Sequence, residues 1–318
     1  MTEPLSTGDT VDLLAVGLTT LDISVLGVDR LPEGEQGALV ESIRLSPAGT
    51  AGGTIMVAAR LGLRTALASA VGDDPQGRAV RELLCAEGVD VTELATHPAM
   101  PTSTTVLPIA PDGSRPNLHM IGASVAAPIS EGAFAMLDRT RAVHFGGIGF
   151  PGPMSNAAKF LSAARERGVY VSCDLIAPGP GADILVRQLL PHVDIFMPSM
   201  AEVETLLPGS SPDAAAAEFM AMGATACMLK RGKDGVTLYT RDETVSVPAF
   251  QITPVDTTSC GDAVCAGWHA ARLQGLSGRT AALYASATAA RVAMGLGTPG
   301  GLNGAEEVEA LVDETERG

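Results

Sequence analysis

Short apolar, β-branched runs alternate with longer alanine-rich runs along most of the chain, and each change of period marks a change of element. Val11–Gly17, Thr65–Val71, Ala142–Phe145, Val169–Asp174, Ile195–Met197 and Ala224–Lys230 read as strands. Unbroken apolar runs of this length suit strands covered on both faces. Ala51–Leu61, Pro75–Glu87, Met154–Arg167 and Ala201–Leu207 carry helical spacing, further helices follow Gly261 and Ser277, and a hairpin is expected near Val236–Val247. This alternation predicts an α/β fold with a doubly wound, mainly parallel sheet flanked by helices.

Two stretches break the rhythm. Leu21–Leu45 and Thr102–Met120 read as consecutive short strands with turn signals at Pro32-Glu-Gly34 and Pro111-Asp-Gly113, and no helix between them. Such β-only insertions predict a small β-sheet lid over a site. There is no internal repeat or interdomain linker, so residues 1–318 read as a single domain with lid segments at about 21–45 and 102–120.

Composition narrows the partners. Of 318 residues 46% are apolar, enough for a large core, and the net charge is −15 without a Lys/Arg cluster. Nucleic acid needs a basic footprint, so it is not expected as a partner. Any anionic ligand must instead be held locally, by backbone amides, metal and a few cations. Met1–Thr10 has no signal-peptide pattern, and the alanine-rich run after Ala281 is broken by Arg291, so no membrane span is expected. The five cysteines (Cys85, Cys173, Cys227, Cys260 and Cys265) are scattered, which fits a reducing cytoplasm.

The run Asp256-Thr-Thr-Ser-Cys-Gly-Asp262 holds the most informative chemistry. Strand signal ends at Val255 and helical pattern starts at Ala263. The amides of Ser259, Cys260 and Gly261 then fall at a helix N-terminus, where unpaired N–H groups attract anions. A carboxylate there would repel a phosphate if binding were its only task. It makes sense as a general base facing a substrate hydroxyl while the amides form an anion hole for the transferred group. The plainer alternative, a favourable first-turn charge, stands equally on spacing alone.

Val255–Gly267 resembles the C-terminal signature of the ribokinase-like (PfkB) carbohydrate kinases, D-T-x-G-A-G-D followed by a small-residue helix, with Ser259 and Cys260 where Gly and Ala are typical. Other segments match the family in order. Gly49-Thr-Ala-Gly52-Gly53 resembles its substrate-side glycine motif, with Gly53 where Asn is common. Gly72-Asp-Asp-Pro-Gln-Gly77 resembles its G-x-D-x-x-G turn, Leu31-Pro-Glu-Gly-Glu35 its lid stretch, and Asp22 its acceptor of substrate hydroxyls. Pro198-Ser199-Met-Ala-Glu202 resembles P-N-x-x-E, whose Glu organises magnesium, and Lys230-Arg-Gly232-Lys-Asp-Gly235 a nucleotide-side K-x-G-x-x-G loop. The resemblance spans roughly Val11 to Gly301 and implies an ATP-dependent kinase acting on a hydroxyl of a sugar or sugar-like metabolite. It implies Asp262 as base and Ser259, Cys260 and Gly261 as anion hole. Asp22, Gly49, Gly52 and Gly53 would bind substrate, and Ser199, Lys230, Gly232, Gly235 and Thr257 the nucleotide. Glu202 would serve Mg2+, a monovalent cation such as K+ is a further candidate cofactor, and the lid would join a homodimer.

Three other readings remain. Phe145-Gly-Gly147-Ile-Gly149-Phe-Pro-Gly152 contains G-x-G-x-x-G between strand and helix, with Asp174 at the next strand's end, as in NAD-dependent oxidoreductases. Against it, Pro151 and Pro153 flank the third glycine and stiffen the turn. The departures at Gly53, Ser199, Ser259 and Cys260 leave room for a non-catalytic metabolite binder. A nucleoside kinase of the same family is the third; aromatics are 3% of the chain and neither lid stretch has one, which favours a plain sugar or sugar acid. Cys260 at a helix start invites a lowered thiol pKa, although a small space-filling residue is the simpler role.

Overall fold

The computed structural model describes residues 9–110 and 114–317. In chain order its strands are β1 (Val11–Gly17), β2 (Thr20–Leu26), β3 (Ser42–Ala48), β4 (Thr65–Gly72), β5 (Leu94–His97), β6 (Thr104–Ile109) and β7 (Leu118–Met120). They continue as β8 (Thr140–Gly146), β9 (Tyr170–Cys173), β10 (Ile195–Phe196), β11 (Ala226–Lys230), β12 (Val236–Tyr239) and β13 (Thr244–Val247). The expected turn at Pro111–Gly113 and most of the Met1–Thr10 segment lie outside the described residues.

The large sheet has the order β13-β12-β11-β10-β9-β8-β1-β4-β5 and is parallel except for the β11–β12–β13 meander. The chain starts in the middle at β1, winds outward through β4 and β5, then returns to β8 on the other side of β1. The winding direction reverses between β1 and β8, and ligands of such sheets bind outside the carboxyl ends of the strands at that point. Every residue of β1 is buried. Leu13 and Ala15 face one core, with the helices Thr50–Arg60, Cys260–Leu273 and Gly278–Ala293, and Leu14 and Val16 face the other, with Ala157–Glu166. Both faces are therefore covered, as the continuous apolar strands require.

The two irregular stretches form the second sheet, ordered β3-β2-β6-β7. Its register places Ser46, Asp22, Thr105 and His119 in one row across the four strands. Directly paired residues share a face, so this row is the polar side. The opposite side carries Ile43, Leu45, Leu118 and Met120, all exposed. The Gly72–Gly77 turn ties the sheets together. Asp74 caps the helix Pro75–Ala86 through the Gly77 N–H, and its carboxylate also accepts from the Thr102 N–H at 2.7 Å and hydroxyl at 2.6 Å, just before β6.

One expected helix divides. Met154–Arg167 becomes Pro151–Met154 and Ala157–Glu166, because Asn156 turns its amide to clamp the Ile129 backbone, at 3.1 and 2.8 Å.

Candidate active site

The helix Cys260–Leu273 starts at Ser259, whose backbone is left-handed at φ 58°. That turn leaves the Ser259 and Gly261 N–H groups without a backbone acceptor among the described residues, while Cys260 N–H makes only a long 3.4 Å bond to the Thr257 carbonyl. Asp256 braces the turn from behind, accepting from the Thr258 N–H at 2.8 Å and the Gly297 N–H at 3.0 Å. Asp262 follows in the first helical turn. Withdrawal from water, reinforced by the charge of Asp174, pushes its carboxyl up to about 7, against the opposing influence of Lys230.

These residues border a cleft of about 790 Å³ that also takes in Thr50, Arg115, Asp174, Ser199, Glu202, Lys230, Gly232, Gly235 and Thr257. Cavities of several hundred cubic ångströms accommodate cofactor-sized ligands. The apolar end is built from Phe250, Ile252 and the Ala289–Ala290–Ala293 face of the following helix. The polar end is the cluster around Asp262.

Lys230 does not wait free for a phosphate. Its ammonium is buried 2.5 Å from Asp174 Oδ2. Burial alone would favour the neutral amine, yet the carboxylates of Asp174 and Glu202 hold its pKa above the ordinary lysine value. Ser199 and Glu202 form a reciprocal capping box, with Ser199 N–H donating to Glu202 Oε2 at 2.6 Å and Glu202 N–H to Ser199 Oγ at 3.3 Å. The Ser-x-x-Glu spacing is thus explained locally. Glu202 nonetheless reaches the cleft, and burial together with Asp174 pushes it up to about 7.

Of Gly49, Gly52 and Gly53, the glycines expected on the substrate side, Gly53 is the one that stands against Asp262. Gly49 (φ 83°) begins the helix Thr50–Arg60, where a β-carbon would stand 2.8 Å from the Leu18 carbonyl oxygen. One on Gly52 would touch Thr19, and one on Gly53 would collide with the Asp262 carboxylate. Asp22 is buried, accepts a 2.6 Å bond from the Thr20 hydroxyl, and is raised by burial. Of the two glycines expected on the nucleotide side, Gly232 has open space, whereas Gly235 sits against the Val247 carbonyl, a packing role.

Two functional candidates fall outside the kinase motifs. Asp174, the acid that follows the mid-chain glycine motif, accepts from the Leu175 N–H at Oδ1 while Oδ2 meets Lys230. Arg115 reaches from the lid to the Thr257 hydroxyl at 2.9 Å and the Thr258 hydroxyl at 3.4 Å. Its signal was available: it is the only Lys or Arg between Thr102 and Met120. The oxidoreductase motif does not form a cradle. A β-carbon on Gly152 would strike the Ala126 carbonyl carbon at 2.2 Å, so that glycine serves packing, and Asp174 is engaged elsewhere. Cys260 also has the plainer role, since burial pushes its thiol up to about 12.

Comparison with known proteins agrees with this architecture. Residues 11–301 match the model of the pfkB family carbohydrate kinases. A nucleoside kinase of Methanothermobacter thermautotrophicus is 30% identical over 291 residues, covering 90% of this chain and 91% of the relative. A Bacillus subtilis ribokinase is 25% identical over 95% of this chain and 99% of its own. Arabidopsis thaliana ribokinase, solved with ribose and ATP, superposes with a TM-score of 0.80 at 22% identity, covering 96% of this chain and 99% of that one. No helix of the described residues is long and apolar enough to cross a membrane. The chain belongs to the pfkB family of carbohydrate kinases, and its activity is that of a sugar or nucleoside kinase of ribokinase type.

Proposed function

We propose that the protein transfers the γ-phosphoryl group of ATP to a hydroxyl of a sugar or sugar-like metabolite, with Asp262 as general base. The observation that carries this reading is a carboxyl at about 7 in the first turn of a helix at whose start the Ser259 and Gly261 N–H groups have no backbone acceptor among the described residues, at the edge of a large cleft. Asp22, with Thr20 and Thr105 beside it, orients the acceptor's hydroxyls. Asp262 takes the proton of the attacking hydroxyl as its oxygen bonds to the γ-phosphorus. The bond to the β-phosphate oxygen breaks, and the electron pair leaves on ADP. The Ser259, Cys260 and Gly261 amides face the charge on the transferred group.

Mg2+ fits the residues present. Asp174, Glu202 and Asp262 line one cleft, and Lys230 is already matched by Asp174. No group of three or more metal-ligating side chains is gathered among the described residues, so Glu202 together with water and phosphate oxygens would hold the ion, which would neutralise phosphate charge. An E. coli chain of the same fold, TM-score 0.84, was solved with ATP and Mg2+. A monovalent cation such as K+ remains part of the proposal. So do a single 1–318 unit, a cytoplasmic location suggested by five free cysteines, and a homodimer through the apolar side of the lid.

A nucleoside kinase at 30% identity over 90% of the chain supports the nucleoside reading; a fructokinase at the same identity over 77% of the chain, with Asp22, Thr105 and His119 in one row of the small sheet, supports the plain-sugar reading. Coupled ADP release over sugars, sugar acids and nucleosides, with and without magnesium and potassium, tests both. Tight binding of an acceptor without turnover would replace the kinase by the non-catalytic binder.

A further inference from the structure

We propose that Arg115, carried on the lid, supplies the positive charge that meets the transferred phosphoryl group, so that the site is complete only with the lid in place. The inference rests on the kinase reading above and adds a catalytic residue to it.

The geometry is specific. Arg115 Nε donates to the Thr257 hydroxyl at 2.9 Å and Nη1 to the Thr258 hydroxyl at 3.4 Å, across 142 and 143 positions of sequence. Both threonines immediately precede Ser259, Cys260 and Gly261, and Arg115 lines the same cleft as those residues and Asp262. A guanidinium has five N–H donors in a planar fork. Two are used here on neutral hydroxyls, which leaves the remainder for an anion with geometry suited to phosphate oxygens.

Charge matching points the same way. The cleft's basic residues are Arg115, Lys230 and Lys233, and its acids are Asp174, Glu202 and Asp262. Lys230 is held by Asp174. Among the described residues Arg115 forms no ion pair with a carboxylate, so its charge is uncommitted. In a chain of net charge −15 an uncommitted cation beside an anion hole offsets a field that otherwise repels a polyanionic donor.

In the transfer step Arg115 makes and breaks no covalent bond. The proton goes to Asp262 and the electron pair to ADP, while the guanidinium faces the equatorial oxygens, where charge is spread in the transition state. Because β6 and β7 carry the loop that holds Arg115, the lid sheet that supplies Asp22 to the acceptor also supplies this cation to the donor. Acceptor binding and phosphoryl transfer are thereby linked, and ATP hydrolysis without acceptor should be slow.

The test compares wild type, Arg115→Ala and Arg115→Lys in the full chain, using the best acceptor of the panel, with circular dichroism melts to confirm folding. Arg115→Ala should lose about 10²–10³-fold in kcat, the range for removing one oxyanion donor, with acceptor KM changed less than about threefold. Arg115→Lys should recover part of the loss, and added guanidinium ion should restore part of the Ala variant's rate. A latch without electrostatic function would raise acceptor KM, leave kcat near wild type and ignore guanidinium, which overturns the proposal. Wild-type turnover matched by Arg115→Ala removes Arg115 alone, whereas no turnover of any acceptor by wild type removes the kinase reading and this role with it.

Discussion

Gly53 stands directly against the carboxylate of Asp262: a β-carbon built on Gly53 would lie 2.3 Å from Oδ2 and 2.9 Å from Cγ. The helices Thr50–Arg60 and Cys260–Leu273 meet here, and the missing side chain is what lets the carboxyl occupy its position. The obstructed atom is the end of a side chain, which can swing aside. Gly53→Ala should therefore change thermal stability by less than about 1 kcal/mol, since the alanine gains helix propensity of similar size. Its cost should fall on kcat, by about 10–100-fold, because a displacement near 1 Å at a reacting group costs that order. Paired melts and steady-state kinetics separate the two effects.

Asp262→Asn removes the proposed base without changing shape. It should lower kcat by about 10²–10⁴-fold with little change in acceptor affinity, read by single-variant kinetics beside isothermal titration of the acceptor. Near wild-type turnover would take Asp262 out of this role.

The same carboxyl sets a pH signature. Burial raises Asp262 from an ordinary 3.8 to about 7 and Glu202 from 4.5 to about 7. The folded chain thus keeps protons that the unfolded chain releases above about pH 4. Stability from these groups is full below their unfolded values and is lost as pH rises through about 7. Activity should run the other way, since Asp262 in its proposed role as base acts deprotonated: kcat should fall below about pH 7. Melts of the ligand-free protein from pH 5 to 8 should decline, and Asp262→Asn should flatten the slope.

Much of this was legible in the sequence, and the reasons differ by residue. The β1 run and the small-residue helix after Gly261 were readable because burial on both faces and a helix start leave local patterns. The second sheet was readable because two β-only stretches interrupt a βα rhythm. The contact of Gly53 with Asp262 was not, since it joins residues 209 positions apart with no shared period. Asp174 looked like part of a glycine motif, and only the register of β9 beside β10 and β11 brings it to Lys230. Arg115 was visible as a lone cation, but its partners Thr257 and Thr258 stand 142 and 143 positions away in the sequence.

Ser259 carries backbone strain that its family's usual glycine avoids. At φ 58° a side chain costs roughly 1–2 kcal/mol, while glycine costs about 0.5–1 kcal/mol in lost chain entropy. Ser259→Gly should therefore leave stability within about 1 kcal/mol and keep the amide hole active. Ser259→Val, β-branched in the same conformation, should destabilise by about 2 kcal/mol or more. Denaturant titration of both variants checks the ordering.

The proposed homodimer would use the apolar side of the small sheet. Ile43 is 62% exposed and Leu118 61% exposed on the face opposite Asp22. Wild type should scatter light as a dimer at micromolar concentration, and Ile43→Glu with Leu118→Glu should give a folded monomer. A monomeric wild type would leave those side chains to another role.

The Lys230–Asp174 pair, at 2.5 Å and buried on both sides, gives the sharpest stability test. A buried pair contributes little over an apolar replacement of both members, but breaking it strands one charge. Lys230→Met leaves Asp174 beside Glu202 and Asp262 with no counter-ion among the described side chains that touch it. The folded state should lose about 3–5 kcal/mol at pH 8, and less at pH 5, where the three carboxyls can take up protons. Asp174→Leu combined with Lys230→Met should recover a large part of that loss while remaining inactive, because the charge that balanced the phosphates' surroundings is gone. If the double variant is no more stable than Lys230→Met, the pair's value lies in packing and not in matched charge.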